Sequence, residues 1–347
     1  MHPLITFTLS IVSIYILIAT LTTASSFFIP LAIAIIIGFF IFTIAKGFEK
    51  LRFRRWKLPH AMSMFLSCLT IFFFIWVIVR VVSDNVYSLI DALPVYQQRF
   101  DALLSQALEY LNIEKRPDFS LLFERFDLMT TMSQVVFMFT EIAGYAGMIT
   151  IYLIFILIEF YYIGDKIDLL FKEEKNRIHA RSVINEVMSK METYLRLKTL
   201  LSIGTAVSSY VVMYLIGVDF ASFWALMIFL LNFIPNVGSI IATIFPCLLT
   251  LIQFGDLISF FIVSISLTAI QFTVGNIIEP KLVGKTFNLS SFVVVLFLVI
   301  WGRIWGILGM FLSVPILVII SIVLSAFPST RSIAVLLSQD GNLNDRS

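Results

Sequence analysis

Apolar runs of membrane-crossing length alternate with short polar stretches along most of this chain, and that alternation predicts its elements. Leu4 to Leu21, Ile29 to Ala45, Ala61 to Val82, Gly144 to Gly164, Thr199 to Ile216 and Leu257 to Val274 each come near the about 20 apolar residues that a helix needs to cross a bilayer. Two regions do not fit. Ala221 to Leu231 is too short to cross alone, and Phe292 to Phe327 is too long for one span. The first is followed by Asn232-Phe-Ile-Pro-Asn-Val-Gly-Ser-Ile-Ile-Ala-Thr-Ile-Phe-Pro246, where two prolines, a glycine and two asparagines interrupt an apolar region before Ser239 to Phe254 continues it. The second is interrupted at Trp301 to Gly309 and again at Pro315. Re-entrant hairpins or pairs of short spans satisfy both patterns, the hairpin fitting Ala221 to Phe254 better. Pro30 is expected in the first turn of the second span, where its missing N–H costs little.

Two polar stretches carry helical periodicity. Tyr96, Phe100, Leu103, Leu104, Ala107, Leu108 and Leu111 recur on one face, with Gln97, Gln98, Asp101, Ser105 and Glu109 on the other. Ile184, Val187, Met188, Met191 and Leu195 make a second stripe. The first helix either lies on the membrane, packs on a neighbouring subunit or caps its own bundle.

Composition agrees with this pattern. Of the 347 residues 59% are hydrophobic and 13% charged, with a mean hydropathy of +0.99, whereas soluble domains carry about 25% charge. The fold class is therefore all-α, a polytopic helical membrane protein with about 8 membrane segments, some broken or re-entrant in the C-terminal half. Lys plus Arg (24) and Asp plus Glu (22) nearly cancel, so no nucleic-acid partner is indicated, and the bilayer is the partner to expect. Lys46, Lys50, Arg52, Arg54, Arg55 and Lys57 oppose only Glu49 in one short loop, which places that loop and the N-terminus in the cytoplasm. Asp84 to Asp127 holds eight acids against four bases and is expected outside, whereas Asp165 to Lys198, with eight bases and six acids, is expected inside. The resulting organisation is 1–83, three spans; 84–140, an outer amphipathic segment; 141–198, a fourth span and an inner helix; 199–328, a core of broken helices; 329–347, a cytoplasmic tail.

Candidate chemistry follows from the interruptions. Unpaired backbone in hydrocarbon costs several kcal/mol per group, so broken helices at membrane depth are buried in protein or line a wet cavity; a loop joining two ordinary spans is the alternative. Asn232, Pro235, Asn236, Gly238, Pro246, Gln271, Asn276, Glu279, Pro280, Gly284 and Arg303 are the candidate path residues. Carbonyls and amides in that set suit a neutral polar solute or a cation. Glu279 is the natural proton carrier if the cargo is an ion. Arg303, between tryptophans, could hold an anion, lock to an acid such as Glu279, or sit at the interface. Gly302 and Gly306 form a Gly-x-x-x-Gly pair that permits close helix contact. Glu159 has either a functional role or a basic partner, and His179 is expected to be solvated. Cys68 and Cys247 suggest neither disulfide nor metal. No cofactor, metal site or catalytic group is expected: ATP-binding and hydrolase motifs are missing from the sequence, which fits an ion-gradient-driven carrier or a facilitated path.

Phe233-Ile-Pro-Asn-Val-Gly238, Glu279-Pro-Lys281 with Gly284, and Trp301-Gly302, Gly306, Gly309-Met310 and Val314-Pro315 together resemble the autoinducer-2 exporter family of bacterial membrane proteins. Ser239, Ser291 and Arg303 depart from its usual residues. The resemblance implies a multi-pass protein of the bacterial cytoplasmic membrane, a homo-oligomer, that exports a small polar solute such as the signalling molecule autoinducer-2. Some members resemble sodium/proton antiporters, so Na+/H+ exchange is the second reading, and a non-transporting scaffold using the outer segment is the third.

Overall fold

The structure, a computed structural model, describes residues 3–50, 52–53, 56–110 and 144–342. Its helices are α1 (Pro3–Thr23), α2 (Ser25–Lys50), α3 (His60–Tyr110), α4 (Ala146–Leu170), α5 (Glu174–Ile216), α6 (Ala221–Leu231), α7 (Val237–Phe254), α8 (Leu257–Phe272), α9 (Glu279–Phe287), α10 (Ser291–Ala326) and α11 (Arg331–Leu337). A π-helical segment, Thr273–Ile278, joins α8 to α9. Between α2 and α3, Arg52–Phe53 and Trp56–Lys57 pair as a two-residue antiparallel ladder, and apart from an isolated bridge between Leu289 and Ser338 the described elements are helices. Among the described residues, seven helices are long and apolar enough to cross a membrane.

Two expected helices merge with their neighbours. The third span and the amphipathic outer stretch form one helix of 51 residues, with Pro94 carried inside it. The inner amphipathic stripe and the fifth span form another, of 43 residues. The rest of the outer segment, 111–143, lies outside the described residues. In α2 the helix starts at Ser25, so Pro30 stands in its second turn rather than its first.

The chain divides into two compact units, residues 1–71, 145–197 and 282–347 in one and 72–144 and 198–281 in the other. The core of the first collects Ile29, Ile36 and Phe39 of α2, Met191, Tyr194 and Leu195 of α5, and Trp305, Leu312, Val314, Val318 and Ile322 of α10. The Trp305 indole donates to the Leu21 carbonyl at 3.0 Å, which fixes α1 to α10. Charged ties at its polar surface pair Lys46 with Glu192 and Arg181 with Asp168. Glu159 has Lys166 as its basic partner, and exposed His179 has a ring nitrogen 3.0 Å from the Ala326 carbonyl. The tail after α11 is strapped to the α9–α10 loop: Ser290 N–H donates to Leu337 O, and the Asn288 amide donates to the Asp340 carboxylate and the Asn342 carbonyl.

In the second unit, the C-terminal half of α3 packs its apolar face inward. Tyr96 is buried and Leu103, Leu104 and Leu108 half-buried, while Gln97, Gln98, Asp101, Ser105 and Glu109 are exposed. This helix is tied to its own bundle. The Tyr96 hydroxyl donates to Asp219 at 2.7 Å, and Arg99 donates to the Gln253 carbonyl at 2.7 Å. Burial, then the Asp219 carboxylate, push the Tyr96 phenol above its ordinary range. Gln253 itself clamps the turn before α6, its amide donating to Gly217 O and its oxygen accepting from the Asp219 N–H.

Candidate functional site

The interruption read from the sequence is a tight helix–turn–helix, and glycine is what lets it close. The α6 helix ends at Leu231, residues 232–236 turn, and α7 begins at Val237. Asn236 takes φ +58° and ψ −56°, the centre of a tight γ-turn that the Val237 N–H closes by donating to Pro235 O at 2.6 Å. A Cβ on Gly238 would stand 1.8 Å from the Leu231 carbonyl oxygen and 2.7 Å from its carbon, so any side chain there collides with backbone. The Gly238 N–H donates to Ile234 O at 3.2 Å, closing the turn. Stacked Trp224 and Phe245, 6.1 Å apart at 10°, fasten the two arms together. Pro246 sits buried inside α7, and Thr250 donates to its carbonyl.

Polar groups converge beside this turn on one face of α5. Lys198, Ser202, Thr205 and Ser209, spaced by four, three and four residues, are all buried, Lys198 being 5% exposed and the other three 0%. Asn232 donates its amide to the Ser202 hydroxyl at 3.0 Å, and both residues are buried. Lys198 Nζ lies 2.5 Å from Glu279 Oε1, with their side chains 6% and 27% exposed. The acid in the Glu-Pro-Lys motif is thus held by a lysine of α5. Ser209 Oγ and Gln271 Nε2 belong to the buried side-chain atoms without a hydrogen-bond partner among the described residues.

The other expected residues are distributed as follows. Pro235 is half-buried; Asn236, Asn276 and Pro280 are exposed; Gln271 ends α8 on its buried side. Asn276 lies in the π segment, whose wider turn leads directly into Glu279. Gly284 lies in α9, and Gly284 and Arg303 belong to the first unit, the remaining candidates to the second. Arg303 is exposed, and among the described residues no ion pair holds it.

The second interruption, in α10, is also a glycine-dependent turn. Trp305 (φ −128°, ψ 17°) and Gly306 (φ +63°, ψ −143°) leave helical geometry. A Cβ on Gly309 would meet the Trp301 carbonyl oxygen at 1.9 Å, the same overlap that Gly238 avoids with Leu231. Two expectations are corrected here, the break at Pro315 and the helix contact of the Gly302 and Gly306 pair. Pro315 does not break the chain: it is buried within α10, whose only non-helical residues are Trp305 and Gly306. Gly306 serves the turn and not a close helix contact, since nothing lies within 4 Å of a Cβ placed there. Gly302 faces Met310 of the same α10, its Cβ position lying 2.8 Å from the Met310 Cε, so the close approach is across the break.

Residues 4–329 match the family model of the AI-2E family transporter. The chain belongs to this family. It is 30% identical over 333 residues to a "Putative transport protein" of Borreliella burgdorferi, covering 94% of this chain and 89% of that one. A Haemophilus influenzae protein of the same name is 28% identical over 95% of both chains. The AI-2 transport protein TqsA of Escherichia coli is 29% identical over 82% of this chain and 83% of its own length. Membership of the AI-2E family makes this a multi-pass membrane transporter. Sequence reasoning missed Lys198, Ser202 and Gln253. The stripe of buried hydroxyls was present as a spacing of four, three and four in an apolar run, but the partner of Glu279 is 81 residues away and only folding brings it there.

Proposed function

We propose that this protein exports a small polar solute across the bacterial cytoplasmic membrane, along a path formed by the re-entrant α6–α7 hairpin and the polar face of α5. The observation that carries this reading is the buried Asn232–Ser202 hydrogen bond at the unwound tip of the hairpin, on the same α5 face as Lys198 and its Glu279 partner. Polar groups are costly in an apolar bundle, and those kept there pair with one another and mark substrate or ion pathways. A broken helix beside them supplies carbonyls and N–H groups that an intact helix would have used internally. Autoinducer-2 is the cargo to test first, because TqsA carries that cargo in its name. The sequence carries no ATP-binding motif, which fits transport driven by an ion gradient or a facilitated path. Asn236, Pro235, Asn276 and Pro280 line the ends of the path, both termini face the cytoplasm by the distribution of basic loops, and the protein works as a homo-oligomer.

The second reading, exchange of Na+ for H+, is favoured by one feature: Glu279, a half-buried acid held against the polar face of α5, is the only carboxylate tied to Lys198 among the described residues. Glu279→Gln separates the two. An antiporter loses pH-dependent exchange in that variant, whereas a carrier of an uncharged solute retains flux; a variant that exchanges normally contradicts the antiporter reading.

A further inference from the structure

The ammonium of Lys198 is an unusual occupant for the start of an apolar run. It is 5% exposed, opposite a single carboxylate at 2.5 Å. One helical turn along the same face, Ser202 accepts from the Asn232 Nδ2, which leaves the Asn232 Oδ1 free to accept in turn. Along this face of α5 lie a carboxylate held by Lys198 and, one turn on, a hydroxyl and an amide oxygen, the donor types that hard cations take. The charge count is also that of a monovalent cation, since one carboxylate balances one positive charge. Among the described residues, no group of three or more acidic, histidine or cysteine side chains is available to hold a divalent ion.

Resting on the reading of this unit as a transport path, we propose that Lys198 takes, as a tethered ammonium, the place of a coupling monovalent cation on Glu279. Removing the ammonium then uncovers a sodium site built from Glu279, Ser202 and Asn232. In a carrier that binds a cation at such a carboxylate, the cation screens the acid only while bound. Lysine does so permanently, and binding at this point becomes independent of sodium. A lysine stem can also withdraw its head without leaving the protein, so the charge stays with the helix as the path opens and closes.

The test is thermal unfolding of the purified full-length protein in detergent, in sodium chloride and in choline chloride at equal ionic strength. Wild type, Lys198→Ala and the double variant Lys198→Ala/Glu279→Gln are compared. The expected result is a midpoint for Lys198→Ala that is higher in sodium by about 5 °C, with no sodium response in the wild type or the double variant. A Lys198→Ala protein that folds only in sodium is the same result in stronger form. The proposal is overturned if Lys198→Ala unfolds alike in both salts, if it fails to fold in either, if the double variant responds as it does, or if the wild type responds as strongly; each would leave the pair an ordinary structural salt bridge. The readout is ion binding and needs no solute flux. A sodium response in Lys198→Ala together with normal flux in a hairpin variant would keep the cation site and discard the path.

Discussion

Gly238 and Gly204 make opposite tests of what a glycine does in this molecule. A methyl group on Gly238 would overlap the Leu231 carbonyl, and backbone cannot move aside as a flexible side chain can. Gly238→Ala is therefore expected to open the α6–α7 turn, at a cost above the about 1–3 kcal/mol of ordinary overpacking, with solute flux lost. Gly204, inside α5, has open space within 4 Å of the point where a Cβ would stand. Gly204→Ala should leave flux intact and raise stability by about 0.5–1 kcal/mol, the usual gain from removing a helical glycine. Paired thermal-melt and flux measurements on the two variants check both expectations; equal effects would contradict the geometry. Asn236 and Gly238 were legible in the sequence because asparagines, prolines and a glycine interrupt an apolar run there. Lys198 was not, because a lysine at the edge of an apolar run reads as an interfacial charge until its distant partner is placed beside it.

At the scale of elements, the C-terminal half of α3 depends on a few polar ties to the turns of its own unit. Tyr96→Phe removes the hydroxyl that donates to Asp219 and should cost about 1 kcal/mol. The change should appear as faster amide exchange in α3 beyond Asn85, with the span before it unaffected; unchanged exchange would mean that Arg99 and apolar packing suffice. Helix α8 begins at Asp256, whose carboxylate accepts from the Ser259 N–H at 2.7 Å. Backbone and side-chain hydrogen bonds from Ser259 hold its pKa below the ordinary carboxylate value. The stabilisation is thus complete above the unfolded pKa of about 4 and is lost as pH falls through the lowered folded value. Asp256→Asn should remove that acid dependence, as followed by melts at descending pH. Sequence patterns located α6 and α7 well, since an abrupt change from apolar to polar residues marks both ends of the turn. They misjudged α3, α5 and Pro315 for one reason: neither a change of polarity nor a proline ends a helix when neighbouring packing and the remaining backbone bonds carry it through.

For the whole molecule, family membership establishes membrane transport, and the central claim is that the solute passes the glycine-closed hairpin. The most direct measurement uses inside-out vesicles carrying wild type or Gly238→Leu, with autoinducer-2 uptake and sodium-induced proton movement followed in the same preparation. Membrane insertion is verified for both proteins. Passage through the hairpin predicts solute accumulation by the wild type and none by the variant, although the variant is inserted to the same level. Normal uptake by inserted Gly238→Leu would contradict it.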